Sequence, residues 1–303
     1  MQFAICQWYP DLSYEAIESM RADGVTALEP GPSFLLDKDE PMLMAEAKRL
    51  QDAGIRVYSV HSPFRGDDDL SLLNEDTRNA AVASHVMALQ RAALSGAECL
   101  VIHPSGPVTI EEEAQRWRQL YANLETLIPE AESVGVRLAL ENMLPGHLGA
   151  EAASIRRVVD DFDSPALGVC FDTGHAHLNE GGVPEAFAIL RERIINFHLQ
   201  DNDGNRDRHL QPPYGTIDWE AFAPDFLSLS FPHPVAVEAP PWNGGTWGML
   251  LREVHTLFSQ GRLTLRLGNS LARVICHQCG RYRMGTPEDW YCGCGPQGGT
   301  GDG

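Results

Sequence analysis

Two short stretches decide the fold of this 303-residue chain: GAECLVIHPSG at residues 96–106 and GVRLALENM at residues 135–143. Each begins with a glycine, Gly96 or Gly135, at the offset expected for a left-handed helix C-cap. Each then runs into residues rich in Val, Ile, Leu and Ala on both faces, as in a buried parallel strand. An amphipathic pattern over residues 109–134 separates the two and predicts a helix. The segment therefore predicts a strand–helix–strand unit.

The same alternation extends from the first residues to about residue 260. The predicted strands are Phe3–Trp8, Val25–Pro30, Val57–Ser62, Cys99–Pro104, Arg137–Asn142, Leu167–Gly174, Ile194–Asp201 and Pro234–Ala239. The predicted helices are Ser13–Arg21, Pro41–Ala53, Asn74–Ser95, Thr109–Val134, Ala150–Asp160, Pro184–Arg193, Asp218–Leu227 and Thr246–Gln260. Eight units of this kind predict an α/β protein with a (β/α)8 TIM barrel over residues 1–262, although a doubly wound sheet has the same local pattern.

The alternation stops after residue 262. Residues 263–275 are a predicted linker, residues 276–295 a predicted cysteine-rich module and residues 296–303 a predicted flexible tail. The spacing C-x2-C-x12-C-x-C predicts a structural Zn2+ site in a zinc-ribbon-like module with four cysteine ligands, Cys276, Cys279, Cys292 and Cys294. A module this short cannot bury a hydrophobic core. The bound metal must therefore supply the free energy that stabilises its fold. Contacts with nucleic acid, with a protein partner or with the barrel all remain open for it.

Charge and cysteine usage limit the classes of partner. The chain has 42 acidic and 23 basic residues and a net charge of −19, so it has no general attraction for nucleic acid or anionic membranes. Nucleic acid is disfavoured rather than excluded, and a homo-oligomer is compatible with the sequence. No run approaches the ~20 apolar residues that span a bilayer, and the start MQFAICQWYP lacks the basic region of a signal peptide. Clustered cysteines favour a reduced, cytoplasmic setting.

Residues of metal-ligand type recur at the carboxyl ends of successive predicted strands. They are His61, His103, Glu141, Asp172, His175, His198, Asp207, His209 and Glu238. In a TIM barrel these strand ends converge on one mouth, where enzymes of this fold carry their chemistry. Mixed imidazole and carboxylate ligands suit Zn2+, Mn2+, Fe2+ or Co2+ better than Ca2+. The sequence therefore predicts a divalent-metal site with several ligands at this mouth.

With these motifs the chain resembles, over roughly residues 1–260, the superfamily of xylose isomerase-like TIM barrels that includes AP endonuclease family 2. In its sugar isomerase and epimerase branch, the resemblance implies that one divalent metal is held by Glu141, Asp172, His198 and Glu238. It also implies that Glu141 and Glu238 form the acid/base pair that moves a proton next to a carbonyl. His175 and an arginine, Arg206 or Arg208, are then the expected contacts to substrate oxygens.

In the endonuclease IV branch, the resemblance implies a three-zinc site that uses all nine positions. The two branches together imply one to three ions in the barrel, Mn2+ or Zn2+. His61 and His103 would share a metal with Glu141, the four residues above would hold the second, and His175, Asp207 and His209 the third. Two features depart from that branch: Gly174 in DTGHAH stands where a cysteine is typical, and the stretch from His198 to Asp207 is shorter. The wording HLQDNDGNRDRHLQPPYGTIDW at residues 198–219 instead resembles uncharacterised sugar phosphate isomerase/epimerase-like proteins.

Three functional hypotheses follow. The first is a divalent-metal-dependent sugar or sugar phosphate isomerase/epimerase, in which two glutamates address opposite faces of one carbon. The second is an endonuclease IV-like trinuclear zinc phosphodiesterase. The third is a different reaction in the same mouth, or a barrel recruited to a partner through its zinc ribbon. Trp8 and Trp242 are candidates for stacking against a sugar ring, although packing of the mouth is an equal alternative. Glu29 is a candidate substrate contact or, with more weight, a structural ion-pair partner. The substrate itself stays open.

Overall fold

The apolar runs of the larger part of the chain form short parallel strands. The computed structural model describes residues 1–64, 66–260, 272–275 and 282–285. The strands of the larger sheet are β1 (Phe3–Gln7), β2 (Ala27–Pro30), β3 (Arg56–Val57), β4 (Ser59–His61), β5 (Cys99–Ile102), β6 (Arg137–Glu141), β7 (Leu167–Asp172), β8 (Ile194–Leu199) and β9 (Val235–Val237). Neighbours pair in the order β3-β2-β1-β9-β8-β7-β6-β5-β4.

The sheet is nearly closed because both of its edge strands come from one stretch of chain. Strand β3 pairs with β2 and β4 pairs with β5, and only Tyr58 separates β3 from β4. The single strand predicted over Val57–Ser62 is therefore two segments. Tyr58 marks the break: its carbonyl accepts from the Glu98 and Cys99 amides, and its hydroxyl donates to the Ile195 carbonyl at 2.9 Å. All eight predicted strand positions are filled, which confirms the TIM barrel.

Helices follow the strands as the pattern predicted. They are α1 (Tyr14–Ala22), α2 (Ser33–Leu36), α3 (Glu40–Asp52), α4 (Glu75–Ser95), α5 (Glu113–Val134), α6 (Ala152–Phe162), α7 (Thr173–Leu178), α8 (Gly182–Leu190), α9 (Trp219–Ser228) and α10 (Trp247–Gln260). Helices α2 and α7 are additional to the prediction. Gly96 and Gly135 adopt φ of 79° and 72° at the C-caps of α4 and α5, as expected from the opening stretches.

Two of the differences between predicted and observed element ends have local reasons. The strand predicted over Leu167–Gly174 ends at Asp172, because the Asp172 carboxylate accepts from the His175 amide at 2.7 Å and caps α7. The helix predicted over Pro184–Arg193 is α8 followed by a 3-10 turn, Arg191–Arg193. Both differences lie at element ends, so they leave the barrel topology unchanged.

Small side chains fill the interior of the barrel. Ala4, Ala27 and Ala236 form one buried group on three neighbouring strands. Cys6, Cys99 and Cys170 are buried, as expected for small hydrophobes rather than reactive thiols. Large aromatic rings pack between strands and helices instead, for example Phe171 against Phe187 and Phe197 against Phe226. The interior is therefore a packed core, and polar side chains collect at its carboxyl end.

The chain divides into two compact units, Met1–Gly261 and Arg262–Gly303. In the second unit, strands β10 (Ala272–Ile275) and β11 (Tyr282–Gly285) pair antiparallel, with Ala272 opposite Gly285. Strand β10 falls within the predicted linker. The predicted zinc ligands Cys276, Cys279, Cys292 and Cys294 and the predicted tail lie outside the described residues. The four-cysteine module and the predicted domain boundaries thus stay predictions.

No helix in the described part of the chain is long and apolar enough to cross a membrane.

Candidate metal centre

Four buried side chains meet at the mouth of the barrel. Glu141 ends β6, Asp172 ends β7, His198 lies near the end of β8 and Glu238 follows β9. Each offers one ligand atom, and these four atoms all lie within 4.8 Å of one another. This is the set that the resemblance to the isomerase and epimerase branch implied for a single divalent metal. The barrel topology explains the meeting, because parallel strands place their carboxyl ends at one rim.

One nitrogen of His198 faces the three carboxylates. His198 Nδ1 lies 2.9 Å from Glu141 Oε1, 3.1 Å from Glu238 Oε2 and 3.9 Å from Asp172 Oδ2. Among the described residues, the buried atoms Glu141 Oε2 and Glu238 Oε2 have no partner in hydrogen-bonding geometry. Unpaired buried carboxylate oxygens are costly unless a cation satisfies them. The residues present therefore fit a divalent metal.

The charged groups of this site shift one another's pKa. Burial raises the pKa of both Glu141 and Glu238, but attraction to His198 and other nearby histidines, together with their hydrogen bonds, outweighs burial and leaves the pKa of Glu141 well below its usual value and that of Glu238 at about 2. Burial raises the pKa of Asp172 to about 7, which attraction to His175 only partly offsets. Burial disfavours the charged form of His198, yet Cys170 and the surrounding carboxylates hold its pKa well above normal. The two glutamates are thus ionised at neutral pH, as metal binding requires.

A second group of possible ligands shares Glu141. His61, His103 and Glu141 also bring ligand atoms within 4.8 Å of one another, and His103 Nε2 lies 2.8 Å from Glu141 Oε2. Neither buried ring nitrogen of His61 has a hydrogen-bond partner among the described residues. Burial, with repulsion from His198, lowers the pKa of His61 to about 4. A neutral, unpartnered imidazole is suited to bind a metal, so this group is a candidate second site.

The three residues predicted for a third metal are joined by hydrogen-bonding distances. Asp207 Oδ2 lies 2.9 Å from His209 Nε2 and 3.5 Å from His175 Nε2. Gln200, which was not selected from the sequence, donates from Nε2 to Asp207 Oδ1 at 2.7 Å and lies 3.3 Å from Asp172 Oδ1. The sequence signal that could have identified Gln200 is its position two residues after His198, at the end of the same strand.

A cavity of about 480 Å3 opens above these residues. Its polar lining includes Glu141, Glu238, His175, Asp207 and His209, and its apolar lining includes Trp8, Phe64, Pro107, Met143 and Leu144. The size and the mixture of surfaces suit a small ligand with both apolar and hydroxyl-bearing faces. His147, Met143 and Leu144 were not selected from the sequence, although they follow Glu141 directly in the strand-end stretch ENMLPGH.

The predicted substrate contacts fall into two groups. Trp8 lines the cavity and packs on His61, with ring centroids 4.5 Å apart. Trp242 stacks on Tyr214 at 5.0 Å and is not among the residues that line the described cavity. Arg206 is exposed, and Arg208 pairs with Asp203 at 2.5 Å; neither belongs to the described lining. The contact roles of Trp242 and the two arginines therefore stay predictions without support from this geometry.

Glu29 lies beneath the centre rather than in the cavity. It is 0% exposed, and its Oε1 is 2.7 Å from His198 Nε2, on the opposite side of the ring from the three carboxylates. A small molecule in the mouth cannot reach it. The position of Glu29 thus agrees with the structural ion-pair role that was favoured over a substrate contact.

Residues 14–249 match the model of the xylose isomerase-like TIM barrel family, AP endonuclease family 2. The chain belongs to the xylose isomerase-like TIM barrel family. The match spans the barrel from α1 to the start of α10 and includes eight of the nine strands of the larger sheet and all nine candidate ligands. Family membership therefore applies to the whole candidate metal centre.

Curated relatives of this family member carry two kinds of description. An uncharacterized protein of Methanocaldococcus jannaschii, MJ1311, is 28% identical over 234 residues, covering 75% of this chain and 78% of its own. A protein of Acholeplasma laidlawii described as a probable endonuclease 4 is 26% identical over 226 residues, covering 66% and 74%. The relatives of this chain in sequence thus include a protein described as a probable endonuclease 4.

Solved structures extend the comparison. The crystal structure of a D-tagatose 3-epimerase-like protein superposes with a TM-score of 0.71 at 24% identity, covering 86% of this chain and 99% of its own, which shows the shared fold. The TTHB071 protein of Thermus thermophilus, solved after soaking with ZnCl2, has a TM-score of 0.65 at 26% identity, covering 86% and 98%. The fold of this chain is therefore shared with an epimerase-like protein, and a relative in sequence is described as a probable endonuclease 4.

Proposed function

We propose that this chain is a divalent-metal-dependent sugar or sugar phosphate epimerase or isomerase. The observation that carries the proposal is the four-residue set Glu141, Asp172, His198 and Glu238, whose two glutamates also line the cavity. A metal held by this set would polarise a substrate carbonyl and stabilise the negative charge that develops beside it. The other two tasks, proton transfer and substrate orientation, are assigned to side chains of this protein.

Proton transfer is assigned to the two glutamates. They project from β6 and from the end of β9, so they approach a molecule in the cavity from different sides. Burial raises the pKa of both, but His198 and the other nearby histidines together lower it further, so an ionised carboxylate is available to accept a proton from the carbon next to a carbonyl. An epimerisation needs a carboxylate that accepts the proton on one face of that carbon and, on the other face, a carboxyl group that has taken up a proton from solvent and donates it. Glu141 and Glu238 supply this pair.

Substrate orientation is assigned to the two unlike walls of the cavity. The rings of Trp8 and Phe64 lie 5.4 Å apart on the apolar wall, where they can pack against the C–H face of a sugar. His175, Asp207 and His209 form the polar wall, where they can hydrogen-bond to hydroxyl groups. This arrangement would hold a ketose with its carbonyl toward the glutamates.

The test is exchange of a substrate proton with solvent. Protein loaded with Mn2+ would be incubated in D2O with a panel of ketoses and ketose phosphates, and deuterium at the carbon next to the carbonyl would be measured by NMR. We expect incorporation with the native chain and a loss of at least about 100-fold with Glu238→Gln, in the range of general-base effects. Glu220→Gln makes the same chemical change on the exposed face of α9 and should leave the rate unchanged. Undiminished exchange in Glu238→Gln would refute the acid/base assignment.

The second candidate is an endonuclease IV-like phosphodiesterase. The observation that favours it is the adjoining group of His61, His103 and Glu141, which extends the centre beyond one metal. Metal analysis of the purified chain, together with cleavage of a duplex that contains one abasic site, separates the two proposals. One ion in the barrel with no cleavage supports the epimerase, whereas three zinc ions in the barrel with cleavage support the phosphodiesterase.

A further inference from the structure

The imidazole of His198 lies between two different environments. Its Nδ1 faces Glu141, Glu238 and Asp172, the carboxylates of the proposed metal site. Its Nε2 faces the single carboxylate of Glu29, at 2.7 Å from Oε1. An imidazole that binds a metal through one nitrogen keeps its proton on the other nitrogen. Which nitrogen carries the proton therefore decides whether Nδ1 can bind a metal.

Glu29 is itself fixed in place from below. Ser59 Oγ and Asn196 Nδ2, the latter at 3.0 Å, both donate to Glu29 Oε2, so that Oε1 faces His198 Nε2 at 2.7 Å and the weak donor Cys6 Sγ at 3.8 Å. Glu29 lies on β2, whereas Ser59 lies on β4 and both Asn196 and His198 lie on β8. Glu29 and Asn196 are fully buried, so water does not compete for these hydrogen bonds. The carboxylate is thus held with one oxygen directed at the ring.

We propose that Glu29 is a positioning residue for the metal centre: it accepts the hydrogen bond of His198 Nε2–H and thereby presents the Nδ1 lone pair to the metal. The proposal rests on the metal-dependent function above and adds to it a residue outside the set of ligands. Histidine ligands in metalloproteins generally donate their second N–H to a carboxylate or carbonyl, which fixes both tautomer and ring orientation. Here the partner reaches His198 across the barrel interior, since β1 and β9 separate their two strands in the sheet order.

The decisive variant is Glu29→Gln. Ser59 and Asn196 both donate hydrogens, so they keep the amide oxygen on their side, and the amide N–H2 then points at His198 Nε2. That donor favours the tautomer with its proton on Nδ1, which blocks the metal. Titration of the full chain with Mn2+, with free Mn2+ followed by electron paramagnetic resonance, should show affinity lowered about 10- to 100-fold.

Two further variants separate positioning from general damage to the fold. Glu29→Asp keeps an acceptor and should recover part of the affinity lost in Glu29→Gln. Ser154→Ala removes a buried hydroxyl on α6 that donates to the Glu151 carbonyl, outside the metal centre, so its affinity should stay within about threefold of native. Equal Mn2+ affinity in native and Glu29→Gln proteins, or a loss in Ser154→Ala as large as in Glu29→Gln, would overturn the proposal.

A measurement on the unmodified chain makes the test independent of folding of the variants. In the Zn2+-loaded protein, nitrogen-15 NMR of the histidine rings should find His198 Nε2 protonated and strongly hydrogen-bonded. An unprotonated Nε2 would overturn the proposal. Neither readout requires turnover, so a chain that exchanges no proton on any ketose would refute the proposed function and still decide the role of Glu29.

Discussion

At the scale of single residues, Gln200 lies between two carboxylates, and only glycine at position 174 leaves room for it. Its amide nitrogen is 2.7 Å from Asp207 and 3.3 Å from Asp172, and its side chain is fully buried. A Cβ on Gly174 would lie 2.1 Å from Gln200 Cδ. The glycine that departs from the endonuclease IV motif is therefore the residue that admits a neutral hydrogen-bond donor between Asp172 and Asp207.

We expect Gly174→Ala to displace Gln200 and to lower the free energy of unfolding by about 1–3 kcal/mol, as overpacking of a buried site does. Displacement also removes the donor shared by Asp172 and Asp207, so Mn2+ affinity should fall in parallel. Urea denaturation and Mn2+ titration measure the two effects. Combining Gly174→Ala with Gln200→Ala removes the overlap, so the double variant should be less destabilised than the sum of the single variants. Full additivity would contradict the steric explanation.

The candidate ligands could be predicted from single positions, whereas their supporting residues could not. Glu141 and Glu238 end strands, and a fold that gathers strand ends makes their meeting predictable. Glu29 and Gln200 act through contacts with His198 and with Asp207 that depend on side-chain directions across the barrel. Local sequence does not encode such directions. The partner of Glu29 was accordingly not found from the sequence, and Gln200 was not selected.

At the scale of secondary-structure elements, apolar periodicity predicted the long helices and the buried strands well. The break of the third strand at Tyr58 depends on a hydrogen bond to Ile195, far away in the chain, which no local pattern reveals. Helix α7 has only six residues, so its pattern is too short to distinguish from the end of β7. Short elements next to the site are therefore the part of the fold that sequence periodicity cannot resolve.

Helix α4 carries a buried histidine that should make the barrel sensitive to acid. Burial lowers the pKa of His85 to about 4, although its hydrogen bond to the Ala81 carbonyl, at 2.8 Å, opposes this shift. The ordinary pKa of a histidine is near 6.5, so His85 takes up a proton at a higher pH in the unfolded chain than in the folded one. The contribution of neutral His85 to stability is therefore present above pH 6.5 and is lost between about pH 6.5 and pH 4.

The measurement is the free energy of unfolding of native and His85→Gln proteins, each at pH 7.5 and pH 4.5 with the same metal content. We expect the advantage of the native protein to shrink by about 2–3 kcal/mol over this range, which is the linkage value for most of the shift. His255→Gln, on the exposed face of α10, should keep the pH dependence of the native chain. An unchanged difference between native and His85→Gln proteins would show that His85 titrates alike in both states.

At the scale of the whole molecule, the net charge of −19 combines surface acids with a buried acidic centre. Glu141, Asp172 and Glu238 are at most 4% exposed, so they add little to the surface charge that acts on a molecule outside the cavity. A bound divalent metal would offset two of these charges. The formal charge therefore overstates the repulsion of an anionic substrate at the mouth, and it does not by itself decide between a sugar phosphate and a neutral sugar.

The two compact units allow the roles of the barrel and of the C-terminal extension to be separated. Helix α10 belongs to the barrel core, because Phe258 packs on Phe226 with ring centroids 4.7 Å apart and on Phe3 at 5.9 Å. Leu250, Val254 and Leu257 of the same helix are buried. A truncation must therefore leave α10 whole, and removal of residues 263–303 does so.

We expect the chain of residues 1–262 to fold, to keep its Mn2+ affinity and to keep the exchange rate of the full chain within about twofold, because the ligands and their supporting residues all precede Gln260. Zinc content should fall by one ion per chain, which is the ion predicted for the four cysteines. Full-length protein with Cys276→Ser and Cys279→Ser is the matched control and should lose the same ion with the barrel intact. Loss of barrel Mn2+ binding in the truncated chain would mean that the extension helps to form the metal centre, and the division of labour between the two units would be wrong.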